Sequence, residues 1–314
     1  MADTRCIQGL ERVPASAGGY VLTIGNFDGV HLGHRLILQR ARALADAEGA
    51  PLAAMTFEPP PDLVLRPQDA PQRITPLGPK CALLRKAGAD WVLVARADRA
   101  FLAKSPADFI DEIICRRLSA RHVVEGDNFF FGHDRSGNID TLRLAGSKKG
   151  FLVHVVEPVA MELPEGPQRV SSSLVRRLVA AGRMEDAARC LGRPFALYGD
   201  VVSGQGHGRL LDFPTANIQP DQQVVPADGV YAGKAWIGEA AFKAAISVGN
   251  KPTLGPAAGT CVEAFLIDAR GDYYGREMSL SFHARLRGQE RFQDAPSLRA
   301  QIAKDVQRVR EIVP

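Results

Sequence analysis

No apolar run in this chain approaches the ~20 residues that a membrane-spanning helix needs. The first residues, MADTRCIQGLERVPASAGGY, hold no hydrophobic core of the kind that marks a secretory signal. A cytoplasmic protein with no membrane partner is therefore expected. Cysteine is scarce and scattered: Cys6, Cys81, Cys115, Cys190 and Cys261 are odd in number and include no CxxC pair. Neither a zinc ribbon nor a disulfide framework is indicated, and reduced thiols are expected. An excess of one charge is also missing. Lys and Arg number 39 against 35 acids, a net charge of +4, and no basic run stands out. That excludes an obvious nucleic-acid partner and leaves anionic small ligands open. There is no internal repeat and no low-complexity tract. What is present is ordinary: 314 residues, 46% hydrophobic and 24% charged. Such a chain folds, and at roughly 150 residues per domain it forms about two domains.

The first half alternates strand-like and helix-like segments. Strands are predicted at Tyr20–Ile24, Leu52–Phe57, Trp91–Ala95, His122–Glu125 and Leu152–Val156. Helical spacing is predicted at His34–Glu48, Lys80–Gly88, Pro106–Leu118 and Leu142–Lys149. This rhythm predicts an α/β domain, a parallel sheet with helices on both faces. Two helical pieces follow, Ser172–Ala181 and Met184–Leu191, stopped by Gly182 and Gly192. The character then changes. Five β-rich runs, at Ala196–Ser203, Val230–Ile237, Ala241–Val248, Cys261–Asp268 and Met278–Leu286, predict a closed antiparallel barrel. A helix over Pro296–Ile312 ends the chain. The expected division is 1–183 and 184–314, with the boundary near residues 182–192.

The first constellation is Thr23–His34, TIGNFDGVHLGH. A strand runs into a turn of Gly25, Asn26, Phe27, Asp28 and Gly29, then His31, Gly33 and His34, and then a helix. In a parallel α/β fold this turn lies at the carboxyl edge of the sheet, where ligands bind. The glycines let a phosphate approach the backbone, and a helix N-terminus offers it free N–H groups. His31 and His34 are three apart, so both imidazoles can face one phosphate and stabilise charge that develops there. Structural histidines, a metal site and an ordinary tight turn also fit, although no third metal ligand has a convincing spacing. The block is neither GxxxxGK[ST] nor GxGxxG, so the P-loop and dinucleotide readings fail.

The second constellation is Gly199–Ile218, GDVVSGQGHGRLLDFPTANI. Gly204, Gly206 and Gly208, followed by Arg209, form a loop that fits either a phosphate cover or a flexible hairpin. Thr215 and Asn217 are two apart, so in an extended segment they face the same way. A hydroxyl and an amide oxygen on one face can hold Mg²⁺ beside phosphates.

The wider block GNFDGVHLGH resembles the HxGH signature of nucleotidylyltransferases in the form found in prokaryotic FAD synthetases. Two more blocks follow in that family's order: Gly126–Gly132 (GDNFFFG) and Arg169–Arg176 (RVSSSLVR). The second half resembles the riboflavin kinase module. Its glycine loop and PTAN are joined by GVYA at Gly229–Ala232, SVGNKPT at Ser247–Thr253 and CVEA at Cys261–Ala264. DYYG at Asp272–Gly275 and LRGQERF at Leu286–Phe292 complete the set. The resemblance covers essentially the whole chain and implies a bifunctional riboflavin kinase and FMN adenylyltransferase. It implies two ATP-dependent steps with Mg²⁺: riboflavin to FMN in the barrel, then FMN to FAD with release of pyrophosphate in the first domain. The implied partners are small molecules. The resemblance places the kinase base at Glu263, holders of the leaving phosphates at Ser172 and Arg169 or Arg176, and a nucleotide or flavin contact at Asn128. Two positions depart from the pattern. Pro60 in Glu58–Pro61 (EPPP) stands where the family has histidine, and Asp212 stands where it has glycine before PTAN. Two other readings stay open, an adenylyltransferase with a flavin-sensing second domain and a non-enzymatic nucleotide- or RNA-binding protein.

Overall fold

A computed structural model of the chain describes residues 5–16, 18–203, 215–220, 222–250, 260–269 and 271–314. The chain divides into two compact units. One comprises the chain up to Pro71 together with Leu77–Val170, and the other comprises Gln72–Pro76 together with Ser171–Pro314.

The first unit is a six-stranded parallel sheet. Its strands are β1 (Cys6–Gln8), β2 (Tyr20–Ile24), β3 (Leu52–Glu58), β4 (Trp91–Arg96), β5 (Ala120–Gly126) and, after a small ribbon of β6 (Phe130–Phe131) and β7 (Gly137–Asn138), β8 (Leu152–Val156). They run in the order β1-β4-β3-β2-β5-β8. Alternation along β2 explains why both faces are covered. Tyr20, Leu22 and Ile24 pack with Phe109, Ile110, Ile113 and Ile114, whereas Val21 packs with Leu38, Ala41 and Leu84. Helices α1 (Leu32–Glu48) and α2 (Leu77–Lys86) supply the second set. The helical stretch expected at Pro106–Leu118 supplies the first. It is α only over Pro106–Phe109 (α3) and π over Ile110–Arg117. Helix α4 (Ile139–Lys149) lies on the same side through Leu142. Strand β1 escaped the periodicity reading because three residues carry no period. A short antiparallel hairpin, β9 (Ala160–Leu163) and β10 (Gly166–Arg169), completes the unit.

The chain steps from β2 to β3 to β4 in one direction and then places β5 on the other side of β2. The carboxyl ends of β2 and β5 therefore flank a topological switch point, the usual ligand position in such sheets.

The second unit begins with helices α5 (Ser172–Ala180) and α6 (Met184–Leu191). Strands β11 (Phe195–Val202), β12 (Thr215–Pro220), β13 (Gly229–Ile237), β14 (Ala240–Asn250), β15 (Thr260–Leu266) and β16 (Glu277–Arg287) close a barrel in the order β11-β12-β15-β14-β13-β16. The barrel has six strands where five were expected. The additional one is β12, whose sequence TANIQP lacks the apolar alternation that marks the others. The closing helix α7 (Ala295–Ile312) packs Val309 against Ala232 and Ile267. Its buried Asp305 receives the Arg287 guanidinium at 2.8 Å and the Gln301 amide at 2.9 Å.

Candidate active sites

The first site starts where β2 ends. Beyond the last paired residues of β2 and β5, Leu22 and Val123, the Ile24 N–H donates to Glu125 Oε1 at 2.7 Å. Glu125 is 2% exposed, and burial pushes its carboxyl well above the ordinary range, against the smaller opposing effect of that hydrogen bond. The Gly25 N–H donates to the Met55 carbonyl at 3.0 Å. The Asn26 carbonyl accepts from Thr56 Oγ1 at 3.1 Å and from the buried Lys80 Nζ at 3.2 Å.

The turn is strained. Phe27 (φ +47°) and Val30 (φ +40°) occupy the left-handed region with Gly29 (φ +83°). For a β-branched residue this is a true outlier, a cost of about 1–3 kcal/mol. Burial offsets it, since Phe27 and Val30 are buried in the core beneath the loop.

The strained turn delivers the two histidines. His31 caps α1, its Nδ1 accepting the His34 N–H at a long 3.4 Å, an arrangement that in a neutral imidazole leaves the proton on Nε2. A Cβ on Gly33 would come within 3.2 Å of that ring, so glycine there lets the imidazole lie across the first turn. The two rings stack at 3.6 Å and 19°, and Phe27 meets the His34 ring edge-on at 5.2 Å. Burial first, then the neighbouring His31 and Lys80, hold His34 well below the ordinary imidazole range. Its buried Nδ1 has no hydrogen-bond partner among the described residues.

Two further elements of the unit converge here. The Arg169 guanidinium at the end of β10 grips the Asp127 carboxylate through two contacts, Nη1 to Oδ2 at 3.0 Å and Nη2 to Oδ1. This holds Asp127 below the ordinary carboxylate range. It also ties the loop carrying Asn128 to Val170, whose carbonyl lies 3.7 Å from a Cβ position on Gly33. Asn128 is exposed on that loop, whose Phe129 and Phe131 stack at 5.4 Å. Ser172 and Arg176 fall in the second unit, on α5. Ser171 caps that helix, Ser172 begins it, and Arg176 Nε donates to the Gln72 carbonyl at 2.7 Å. Pro60 sits at the start of the short helix Pro61–Leu65 and makes no side-chain cap bond.

The second site is a row across three strands. Asn217 on β12 lies opposite Glu263 on β15, which lies opposite Ser247 on β14. The alternating partners Ile218, Val262 and Val248 are buried in the barrel, so the polar row occupies the other face. The Cys261 thiol is 3.4 Å from Asn217 Oδ1 and 3.5 Å from Glu263 Oε1. Asn217 is buried, and Thr215 and Glu263 are half-buried. The Gln289 amide donates to Ser247 Oγ and to the Val248 carbonyl, both at 3.0 Å. Gly204, Gly206, Gly208 and Arg209, with Asp212, lie outside the described residues. Sequence reasoning missed Thr56, Lys80, Glu125 and Asp127 in the first site and Cys261 and Gln289 in the second. Glu125 adjoins the Gly126–Gly132 block and Asp127 is its second residue, so both were within reach of it. Lys80 had no signal, being one cation in an apolar helical stripe.

Family comparisons divide the chain in the same order as its motifs. A model of FAD synthetase matches residues 13–174, and a model of riboflavin kinase matches residues 191–313. Bifunctional riboflavin kinase/FMN adenylyltransferases from Pseudomonas fluorescens and Escherichia coli K12 are each 37% identical, over 98% of this chain and 97% and 96% of their own lengths. The chain belongs to the bifunctional riboflavin kinase/FMN adenylyltransferase family. A Bacillus subtilis riboflavin kinase/FMN adenylyltransferase is 33% identical over 91% of this chain and 90% of its own. A solved structure described as a macrolide-efflux protein from Streptococcus pneumoniae superposes with a TM-score of 0.86 at 26% identity, over 98% of this chain and 99% of that one. Among the described residues no helix is long and apolar enough to cross a membrane.

Proposed function

We propose that this chain makes FAD from riboflavin in two ATP-dependent steps, one at each candidate site. The barrel phosphorylates the ribityl 5′-hydroxyl of riboflavin, giving FMN and ADP. The α/β unit joins FMN to the adenylyl group of a second ATP, giving FAD and pyrophosphate. The observation that carries this reading is the presence, on one chain, of two unlike sites matched to two unlike nucleophiles.

In the kinase step the nucleophile is a neutral alcohol, which needs a base. Glu263 takes the hydroxyl proton as oxygen attacks the γ-phosphorus of ATP. The donors that accompany it suit Mg²⁺. Thr215 and Asn217 share one face of β12 and offer hard, neutral oxygens, and the carboxylate stands opposite Asn217. Thr215 and Asn217 would hold the ion, which when bound neutralises charge on the phosphates. The Gly204–Gly208 loop and Arg209 are assigned to covering those phosphates.

In the adenylyl step the nucleophile is already an anion. One FMN phosphate oxygen attacks the α-phosphorus, and the bond to pyrophosphate breaks. No base is required. The site needs alignment and donors at the oxygens that gain charge. His31 donates from Nε2, and the neutral His34 ring beside it adds a second donor. Gly25–Gly29 and Gly33 admit the nucleotide to the backbone. Asn128 is assigned to nucleotide or flavin. Ser172 and Arg169 or Arg176 are assigned to the leaving phosphates, with Arg169 exchanging its grip on Asp127 for them. The functional division is placed between 1–183 and 184–314, and the reactions in the cytoplasm, with small molecules as the partners required.

The test is direct. Incubation with riboflavin, ATP and Mg²⁺, followed by chromatography, is expected to yield FMN and then FAD. Accumulation of FMN alone would leave a kinase with an inactive first unit, and no turnover of riboflavin would remove the kinase reading.

A further inference from the structure

Cys6 and Cys81 lie 75 residues apart in sequence, yet their Sγ atoms are 2.7 Å apart. Cys6 begins the edge strand β1 and is half-buried; Cys81 is buried on α2. A disulfide has an S–S bond of ~2.05 Å, so the pair needs to close by only roughly 0.7 Å. Such bonds in reducing compartments are usually transient and redox-sensing rather than structural. The position of this pair gives the bond a consequence. The residue beside Cys81 on α2 is Lys80, whose Nζ holds the Asn26 carbonyl at 3.2 Å, in the strained turn that delivers His31 and His34. Helix α2 therefore carries, on adjacent buried residues, a thiol and an anchor of the candidate adenylyl site.

We infer that Cys6 and Cys81 form a reversible disulfide that slows adenylyl transfer by shifting α2 and its Lys80 anchor. The inference rests on the assignment of the Gly25–His34 turn to that reaction. The oxidant is a peroxide. The half-exposed Cys6 thiolate attacks the O–O bond, giving a sulfenic acid and one water. The Cys81 thiol then attacks that sulfur; the S–S bond forms, the S–O bond breaks and a second water leaves. The two thiols lose two electrons and two protons, and hydrogen peroxide becomes two waters. A thiol reductant reverses the bond through a mixed disulfide. A shift of α2 that moves the turn by about 1 Å is enough to misalign reacting phosphates, since such a misplacement can cost on the order of 10² in rate.

The experiment treats the full-length protein with hydrogen peroxide and compares it with Cys6→Ser. Non-reducing peptide mapping is expected to show the Cys6 and Cys81 peptides joined with the loss of two hydrogens. FMN adenylylation by the oxidised protein is expected to fall at least several-fold, to return with dithiothreitol, and to be spared in Cys6→Ser. Cys81→Ser repeats the test should Cys6→Ser prove unstable. Absence of the cross-link, or cross-linked protein with undiminished adenylylation, would overturn the inference. The reduced protein is assayed alongside. If it makes no FAD from FMN, the failure belongs to the adenylyl-site assignment, and the peptide map alone then judges the bond.

Discussion

The two candidate sites are built in opposite ways. The histidine site comes from one stretch of chain, Gly25–His34, bent through three left-handed residues and locked by Phe27 and Val30 in the core. The barrel site comes from residues spread over Thr215–Gln289, with Asn217, Glu263 and Ser247 brought into one cross-strand row by strand register. The first stacks two imidazoles in a buried niche, with His34 held well below the ordinary imidazole range by burial, and the second presents a half-buried carboxylate and neutral oxygens. The difference follows the nucleophiles. An anionic phosphate calls for donors and alignment, which a helix end and a rigid turn supply. A neutral alcohol calls for a base with metal-holding oxygens nearby, which a strand pair supplies.

The sharpest break between them is expected from Glu263→Gln. It should lower FMN formation by about 10²–10⁴-fold while FMN adenylylation continues, because the amide keeps the shape and cannot take a proton. Single-turnover kinetics with riboflavin would show it, and a parental rate would move the base elsewhere. Next comes the paired change His31→Ala and His34→Ala. Losing one preorganised donor costs about 10²–10³-fold, and the pair should lose at least that in FAD formation with riboflavin phosphorylation nearly unchanged. Undiminished FAD synthesis would remove both residues from the reaction. Asn217→Ala should weaken FMN formation less than Glu263→Gln, and raised Mg²⁺ should restore part of it. No response to Mg²⁺ would separate Asn217 from the metal.

The smallest effect concerns pH. Glu125 keeps its proton in the folded protein above the pH at which the unfolded chain releases it. Folded protein therefore binds more protons across that window, and stability falls as pH rises through it. Glu125→Gln can still accept from the Ile24 N–H and cannot ionise, so its melting temperature should fall less between mildly acidic and mildly alkaline pH. Parallel melting curves would contradict the buried neutral acid. His34 shifts the other way: it stays unprotonated while the unfolded histidine gains a proton, so stability is lost as pH falls below the ordinary imidazole range.

Much of the first site was legible because its parts are contiguous. A strand, a glycine turn and a helix start stand in order in Thr23–His34, and the helix runs as expected to Glu48. Its supports were not legible. Lys80 and Thr56 reach Asn26 from other elements, and no local pattern distinguishes a lysine that anchors a carbonyl from one in solvent. In the barrel Thr215 and Asn217 were readable as a same-face pair of oxygens, whereas Glu263 in CVEA was readable only through resemblance. That Asn217 faces Glu263 is a matter of register, which five expected strands did not specify. The missing strand was the one carrying Thr215 and Asn217, because its side chains serve a polar row and so break the apolar alternation.

The central claim is that two self-sufficient sites on one chain act in sequence, linked by FMN. Mixing the Glu263→Gln protein with the His31→Ala, His34→Ala protein tests it most directly. With riboflavin, ATP and Mg²⁺, the first alone should leave riboflavin unconverted, and the second alone should stop at FMN. Together they are expected to make FAD, because FMN released by one protein serves the other. A mixture that accumulates FMN without FAD, while the Glu263→Gln protein still adenylylates added FMN at that concentration, would contradict the claim.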